Sequence, residues 1–143
     1  MPKPDPALLD LTRYPYRTPI EPRFGDLDVN MHVNNVALIG LIEETRVRFH
    51  RDCGYGWRQQ GFSAMIASLS IEFLGEAFYP GSLDVHIALA QIGRTSQTVC
   101  QLVTQKDRLI GFAQSVIVGV KDGQPSPLDE AYREDARQWL LRA

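Results

Sequence analysis

Residues 36–54, VALIGLIEETRVRFHRDCG, read as a helix of about five turns without a proline, stopped at Gly54, a natural left-handed terminus. The first seven of these residues are apolar apart from Gly40, so this part is predicted to be buried on nearly every side. A helix that lies on a sheet needs only one apolar stripe. This one asks to be wrapped.

The wrapping is predicted from the strand signals downstream of the helix. After the turn-rich link GYGWRQQGFS, the stretch MIASLSIEFL alternates Met65, Ala67, Leu69, Ile71 and Phe73 with Ser68, Ser70 and Glu72. Tyr79-Pro80-Gly81-Ser82 is a turn, and Leu83, Val85, Ile87 and Leu89 alternate again. TSQTVCQLVTQ, a tight turn at Lys106-Asp107-Arg108 and the β-branched LIGFAQSVIVGV complete four sequential strands, expected to form an antiparallel meander. DGQPSP closes the sheet, and residues 128–143 read as a final amphipathic helix. Residues 1–15 hold four prolines and read as an arm with little regular structure, while TPIEPRF (18–24) is an edge strand at most. The expected organisation is one α+β domain over residues 1–143, a twisted sheet curled round one helix. Such a sheet leaves edges, and a two-fold dimer continuing it would cover one of them.

With 44% apolar and 22% charged residues the chain has the balance of a globular protein. A net charge of −2 gives no reason to expect nucleic acid or an anionic membrane as partner. Cys53 and Cys100 lack CxxC spacing and fit a reduced, cytoplasmic protein, with one disulfide as the alternative. The N-terminal MPKPDPALLDL holds no apolar run suited to export or membrane insertion, which also favours the cytoplasm.

Immediately before the helix stands GDLDVNMHVNN, residues 25–35. Asp26, Asp28 and Asn30 occupy positions 1, 3 and 5 of a calcium loop, but such a loop needs glycine at position 6 and glutamate at position 12, where this chain has Met31 and Ala37. Asp28 and His32 alone do not make a metal site, and the other histidines, His50 and His86, lie elsewhere in the pattern. Asn34 is a good N-cap, and Asp28 or Asn30 could close Asx turns, yet a cap accounts for one residue and not for five. A buried helix N-terminus also offers unpaired N–H groups to a developing oxyanion, with carboxylates just ahead of it. That is enough to hydrolyse an activated acyl compound without metal or cofactor. No G-x-S-x-G elbow is present, so no serine triad is implied.

DxDxNxHVNN leading into an apolar helix ending in E-E-x-R resembles the hot-dog-fold acyl thioesterases. The similarity is to the 4-hydroxybenzoyl-CoA thioesterase-like branch, and GDLDVNMHVNNVALIGLIEE is especially like the plant acyl-ACP thioesterases. The order of elements matches over residues 16–121, the specific motif over 23–44. The resemblance implies an acyl-CoA or acyl-ACP thioesterase, a homodimer or homotetramer. It makes Asp28 the catalytic aspartate, attacking the thioester carbonyl or activating a water. Asn30 and His32 orient water or substrate, and Asn35 supplies the N–H that polarises the carbonyl, with Asn34 beside it at the helix start as a substrate-binding residue. Leu38 departs from an aromatic residue common in relatives, which bears on the acyl pocket. Met31 stands where bacterial relatives often have glycine, which bears on the backbone shape of the loop.

Glu43 lies on the stripe Val36–Ile39–Val47 and is expected to be half buried beneath the oxyanion site. Some hot-dog thioesterases use a helix carboxylate about two turns beyond the oxyanion residue, so the resemblance offers Glu43 a catalytic or substrate role against a structural ion pair. Glu44 pairs with Arg48 at i,i+4. Gly93-Arg94-Thr95-Ser96 reads as a hairpin turn; in relatives a basic and hydroxyl pair here touches the CoA phosphates, which would make Arg94 and Ser96 substrate-binding. His50 and His86 read as surface or strand-face histidines. Trp57 and Phe62 are expected to cover the end of the helix, and Trp139 and Leu140 to dock the last one. The rivals are a hot-dog hydratase or dehydratase, whose D-x-N-P-x-H spacing and proline are absent here, and a non-catalytic acyl-thioester-binding module, which would not need Asp28.

Overall fold

A computed structural model describes residues 4–56 and 61–143. In chain order the elements are β1 (Tyr16–Ile20), α1 (Asn35–Cys53), β2 (Phe62–Phe73), β3 (Leu83–Ile92), β4 (Ser96–Gln105), β5 (Arg108–Lys121), β6 (Gln124–Pro125) and α2 (Glu130–Ala136). The six strands form one antiparallel sheet in the order β1-β3-β4-β5-β2, with β6 paired to the end of β5. This is the hot-dog fold, a curved sheet around the long helix α1.

The expected meander holds for β3, β4 and β5, whose links are tight. Lys106 and Asp107 both take positive φ, 49° and 64°, as a two-residue hairpin requires. β2 departs from it: it pairs along β5, from Phe62↔Lys121 to Phe73↔Gly111, and forms a sheet edge. The reason lies in residues 74–82, which are tied under the start of α1 by the Val33 N–H donating to the Ala77 carbonyl at 2.9 Å. This link separates β2 from β3 by the width of the sheet.

α1 sits on the concave face. Leu38, Ile42, Phe49 and Cys53 are buried against Ile87, Leu89, Val99, Val103, Ala113 and Ile117. Gln101 reaches up from β4, its Nε2 donating to the Ile42 carbonyl at 2.8 Å and to Thr45 Oγ1 at 3.0 Å, and so fixes the helix against the sheet. The wrapping is one-sided, contrary to the sequence expectation. Val36 is 80% exposed and Val47 47%, and the β2 edge beside them exposes Met65, Ile66, Leu69 and Phe73. One chain supplies a cover for only part of the helix.

The convex face carries a second cluster, Tyr14, Ala88, Cys100, Leu102 and Phe112, roofed by Leu8, Leu9 and Leu11. The proline-rich arm is therefore more ordered than its composition suggests, with 3₁₀ turns at Pro6–Leu9 and Leu11–Arg13. Cys53 and Cys100 are free, buried thiols belonging to different clusters. The last helix is shorter than predicted: a 3₁₀ turn at Arg137–Trp139 follows Ala136, and Trp139 meets Tyr16 and Phe49 edge-on. Leu140 bridges Leu89, docking the C-terminus as expected. Phe62 packs on Tyr55 at the far end of α1, while Trp57 lies outside the described residues. Among the described residues no helix is long and apolar enough to cross a membrane.

Candidate active site

The polar run closes on itself before it becomes a helix. Asp28 N–H donates to the His32 carbonyl at 2.8 Å, Met31 N–H to the Asp28 carbonyl at 3.0 Å, and Leu27 bridges Val33. Asp28 Oδ1 accepts the N–H groups of Asn30 (2.8 Å) and His32 (3.1 Å), an Asx turn that fixes the carboxylate. The backbone of Met31 takes φ 63°, the left-handed conformation that glycine adopts without strain. Asp26 builds the stem: its buried carboxylate accepts the Arg23 N–H at 2.8 Å, and its carbonyl accepts the Asn34 N–H at 2.8 Å.

Asn34 then caps α1, its side-chain oxygen accepting the Ala37 N–H at 2.7 Å while its carbonyl takes the Leu38 N–H. The N–H groups of Asn35 and Val36, which no helix can satisfy internally, have no acceptor among the described residues. Asp28, Asn30, His32, Asn35 and Leu38 line one wall of a cleft of about 370 Å³. Phe73, Leu74, Gly75, Glu76 and Ala77 line the other. Leu38, only 3% exposed, gives this cleft an aliphatic floor where an aromatic ring would be bulkier.

Glu76 is a cleft residue that the sequence did not single out. Its carboxylate stands 3.4 Å from His32 Nδ1, and the His32 ring packs edge-on against Phe78 at 5.0 Å. The SIEFLGEAF context reads as a strand end and carries no motif; only the fold brings it opposite the polar loop.

Other predicted residues lie outside this constellation. Glu43 is on the exposed face of α1, its side chain 64% accessible and 4.0 Å from the Arg46 guanidinium, so it is not half buried in the single chain. Arg94 and Ser96 occupy the β3–β4 turn, where Gly93 N–H donates to the Ser96 carbonyl at 2.8 Å. That turn is at the far end of the sheet: Ser96 pairs with Val118, whereas the cleft adjoins Phe73, which pairs with Gly111. Glu44 and Arg48 form the expected ion pair. His86 is a half-buried strand residue 3.4 Å from Thr104 Oγ1. His50 is not at the surface; both ring nitrogens are buried without a partner among the described residues, and burial, aided by the Arg46 charge, pushes its pKa down to about 3.

The same fold recurs among solved structures. A thioesterase from Thermus thermophilus, crystallised with coenzyme A and zinc, is 29% identical, with a TM-score of 0.78 over 87% of this chain and 93% of its own. A protein from Pseudomonas aeruginosa strain PAO1 superposes with a TM-score of 0.82 at 18% identity, covering 92% of this chain and 96% of that one. A predicted thioesterase from Bacillus stearothermophilus gives 0.81 at 21% identity, over 90% and 98% of the two chains. No curated protein matches the sequence. The family described as the thioesterase-like superfamily matches residues 22–140, which takes in the polar loop, the helix and all the strands that build the cleft. By sequence and by architecture, the chain belongs to the thioesterase-like superfamily.

Proposed function

We propose that the protein hydrolyses an acyl thioester of coenzyme A or acyl carrier protein to the free acid and thiol. The observation that carries this reading is the meeting of a fixed carboxylate, Asp28, with the unpaired N–H groups of a helix N-terminus in one cleft. The coenzyme A bound to the Thermus thermophilus relative supports the thiol class. The thioester carbonyl oxygen lies against the Asn35 N–H, where the helix dipole stabilises the charge that develops on it. Asp28 acts through Oδ2 in one of two ways. As a base it takes a proton from the water that adds to the carbonyl carbon; the C–S bond then breaks, and that proton passes to the departing thiolate. As a nucleophile it adds to the carbonyl carbon itself, the C–S bond breaks to leave a mixed anhydride on Asp28, and a water hydrolyses the anhydride, restoring the carboxylate and supplying the proton of the thiol. His32 and Asn30 orient the water, and Glu76 opposite Nδ1 favours the tautomer whose Nε2 is free to accept.

The donors do not fit a metal ion: among the described residues no three His, Cys, Asp or Glu side chains converge, whereas zinc sites use three or four protein ligands.

The site is completed by a second copy. β2 is a twelve-residue edge strand flanked by exposed apolar side chains, a surface that pairing would bury. Antiparallel pairing of β2 with its own copy across a two-fold axis reverses the partner's sheet. It would bring Arg94 and Ser96 of the partner subunit to the end that holds the cleft, and would cover the Val36–Ile39–Glu43 face. Thiol release from a panel of acyl-CoA and acyl-ACP substrates, read with a thiol dye, tests the activity. A hydratase would instead change the absorbance of an enoyl-CoA without releasing thiol.

A further inference from the structure

We infer that Arg108 is the docking cation for the phosphate ester at the far end of the substrate's pantetheine arm, a role that rests on the thioesterase reading. Arg108 opens β5, and its guanidinium lies over the Phe78 ring, 5.1 Å from the ring centre. Nη1 donates to the Glu76 carbonyl at 3.1 Å, and Nη2 reaches Gln105 Oε1 at 3.4 Å. Phe78 also meets His32, 5.0 Å away, so the guanidinium carbon, 5.1 Å from the same ring centre, stands within about 10 Å of the imidazole centre. One short segment, residues 76–78, thus holds both a cleft histidine and this cation.

Among the described residues no carboxylate lies within 4.0 Å of the Arg108 guanidinium. Arg17, Arg23, Arg46, Arg48, Arg51 and Arg137 each stand within 4.0 Å of a carboxylate, whereas the contacts of Arg108 are a carbonyl, an amide and a ring. Arg13 is likewise held by carbonyls, those of Ala7 and Arg142, but neither of these residues lines the cleft, whereas Glu76, which holds Arg108, does. A pre-positioned guanidinium with remaining N–H donors suits a phosphate, which it can meet with two parallel hydrogen bonds. The thioester end of the substrate is neutral. The anion shared by coenzyme A and acyl-carrier-protein thioesters is the phosphate that ends the pantetheine arm, away from the reacting carbonyl. Arg108 does not line the cleft itself but is bonded to Glu76, which does.

The test compares wild type, Arg108→Ala and Arg108→Lys on one acyl group presented as the CoA thioester, the acyl-carrier-protein thioester and the N-acetylcysteamine thioester, which has no phosphate. Loss of one charge-assisted contact should raise KM for the CoA thioester about tenfold in Arg108→Ala with kcat kept, and Arg108→Lys should recover much of it. The N-acetylcysteamine thioester should show no difference among the three proteins. A parallel rise with the carrier-protein thioester places the contact on the shared phosphate; a rise with CoA alone puts it on a phosphate of the nucleotide portion and overturns the inference. An unchanged KM on both phosphorylated substrates, or an equal loss on the N-acetylcysteamine thioester, overturns the inference. Wild-type turnover of the N-acetylcysteamine thioester keeps the thioesterase reading standing in those cases; no thiol from any substrate ends both.

Discussion

At Asp28 one oxygen is spoken for: Oδ1 holds the loop through the N–H groups of Asn30 and His32, and Oδ2 is left to act. The residue is therefore both a loop-former and the reactive carboxylate of the proposed chemistry. Glu76→Gln keeps the shape opposite His32 Nδ1 and removes the charge. It should lower kcat about 10- to 100-fold in a thiol-release assay, the size expected for losing one hydrogen bond to a charged group. A different residue, His50, sets a pH dependence of stability. Neutral in the fold down to about pH 3, it takes up a proton on unfolding below its ordinary value of 6.5. The unfolded state then binds more protons, so stability is lost as pH falls below about 6.5, by up to about 1.4 kcal/mol per pH unit. His50→Leu should flatten that slope in urea titrations at pH 7 and pH 4.5, with little change at pH 7.

Among individual elements, α1 is defined at both ends by residues the sequence displays. Asn34→Ala removes the bond to the Ala37 N–H and should cost about 1 kcal/mol in chemical denaturation. The loop residues Asp28, Asn30, His32, Asn34 and Asn35 were legible because they are contiguous, so one short motif holds them. Glu76 was not, because its partner His32 lies across two elements and no periodicity links them. The same limit explains β2. Alternation says which face a residue takes and nothing about which strand lies beside it, and the long 74–82 link let β2 pair with β5 rather than β3. Glu43 is exposed in the single chain for a third reason: its stripe is apolar, but among the described residues none covers that stripe. The left-handed Met31 was visible only as a departure from glycine, and its φ of 63° now shows that the loop keeps the glycine-like backbone with a side chain attached.

For the whole molecule, the bare side of α1 and the β2 edge belong together, and both point to a two-fold assembly. Sedimentation should give the mass of a dimer or a multiple of it. Mixing then tests the placement of Arg94: refolding Asp28→Asn with Arg94→Ala subunits creates heterodimers with one cleft that has both native residues. Activity should exceed that of either variant alone, whereas a site confined to one chain predicts that mixing adds nothing. The central claim is chemical, and one measurement reaches it most directly: release of free thiol from acyl-CoA by the wild type and by Asp28→Asn. The wild type should release thiol, and Asp28→Asn should be slower by about 10²–10⁴-fold, the range typical of losing a positioned acid, base or nucleophile, with its circular dichroism unchanged. Near wild-type hydrolysis by Asp28→Asn, or no thiol from any thioester with the folded wild type, would contradict it.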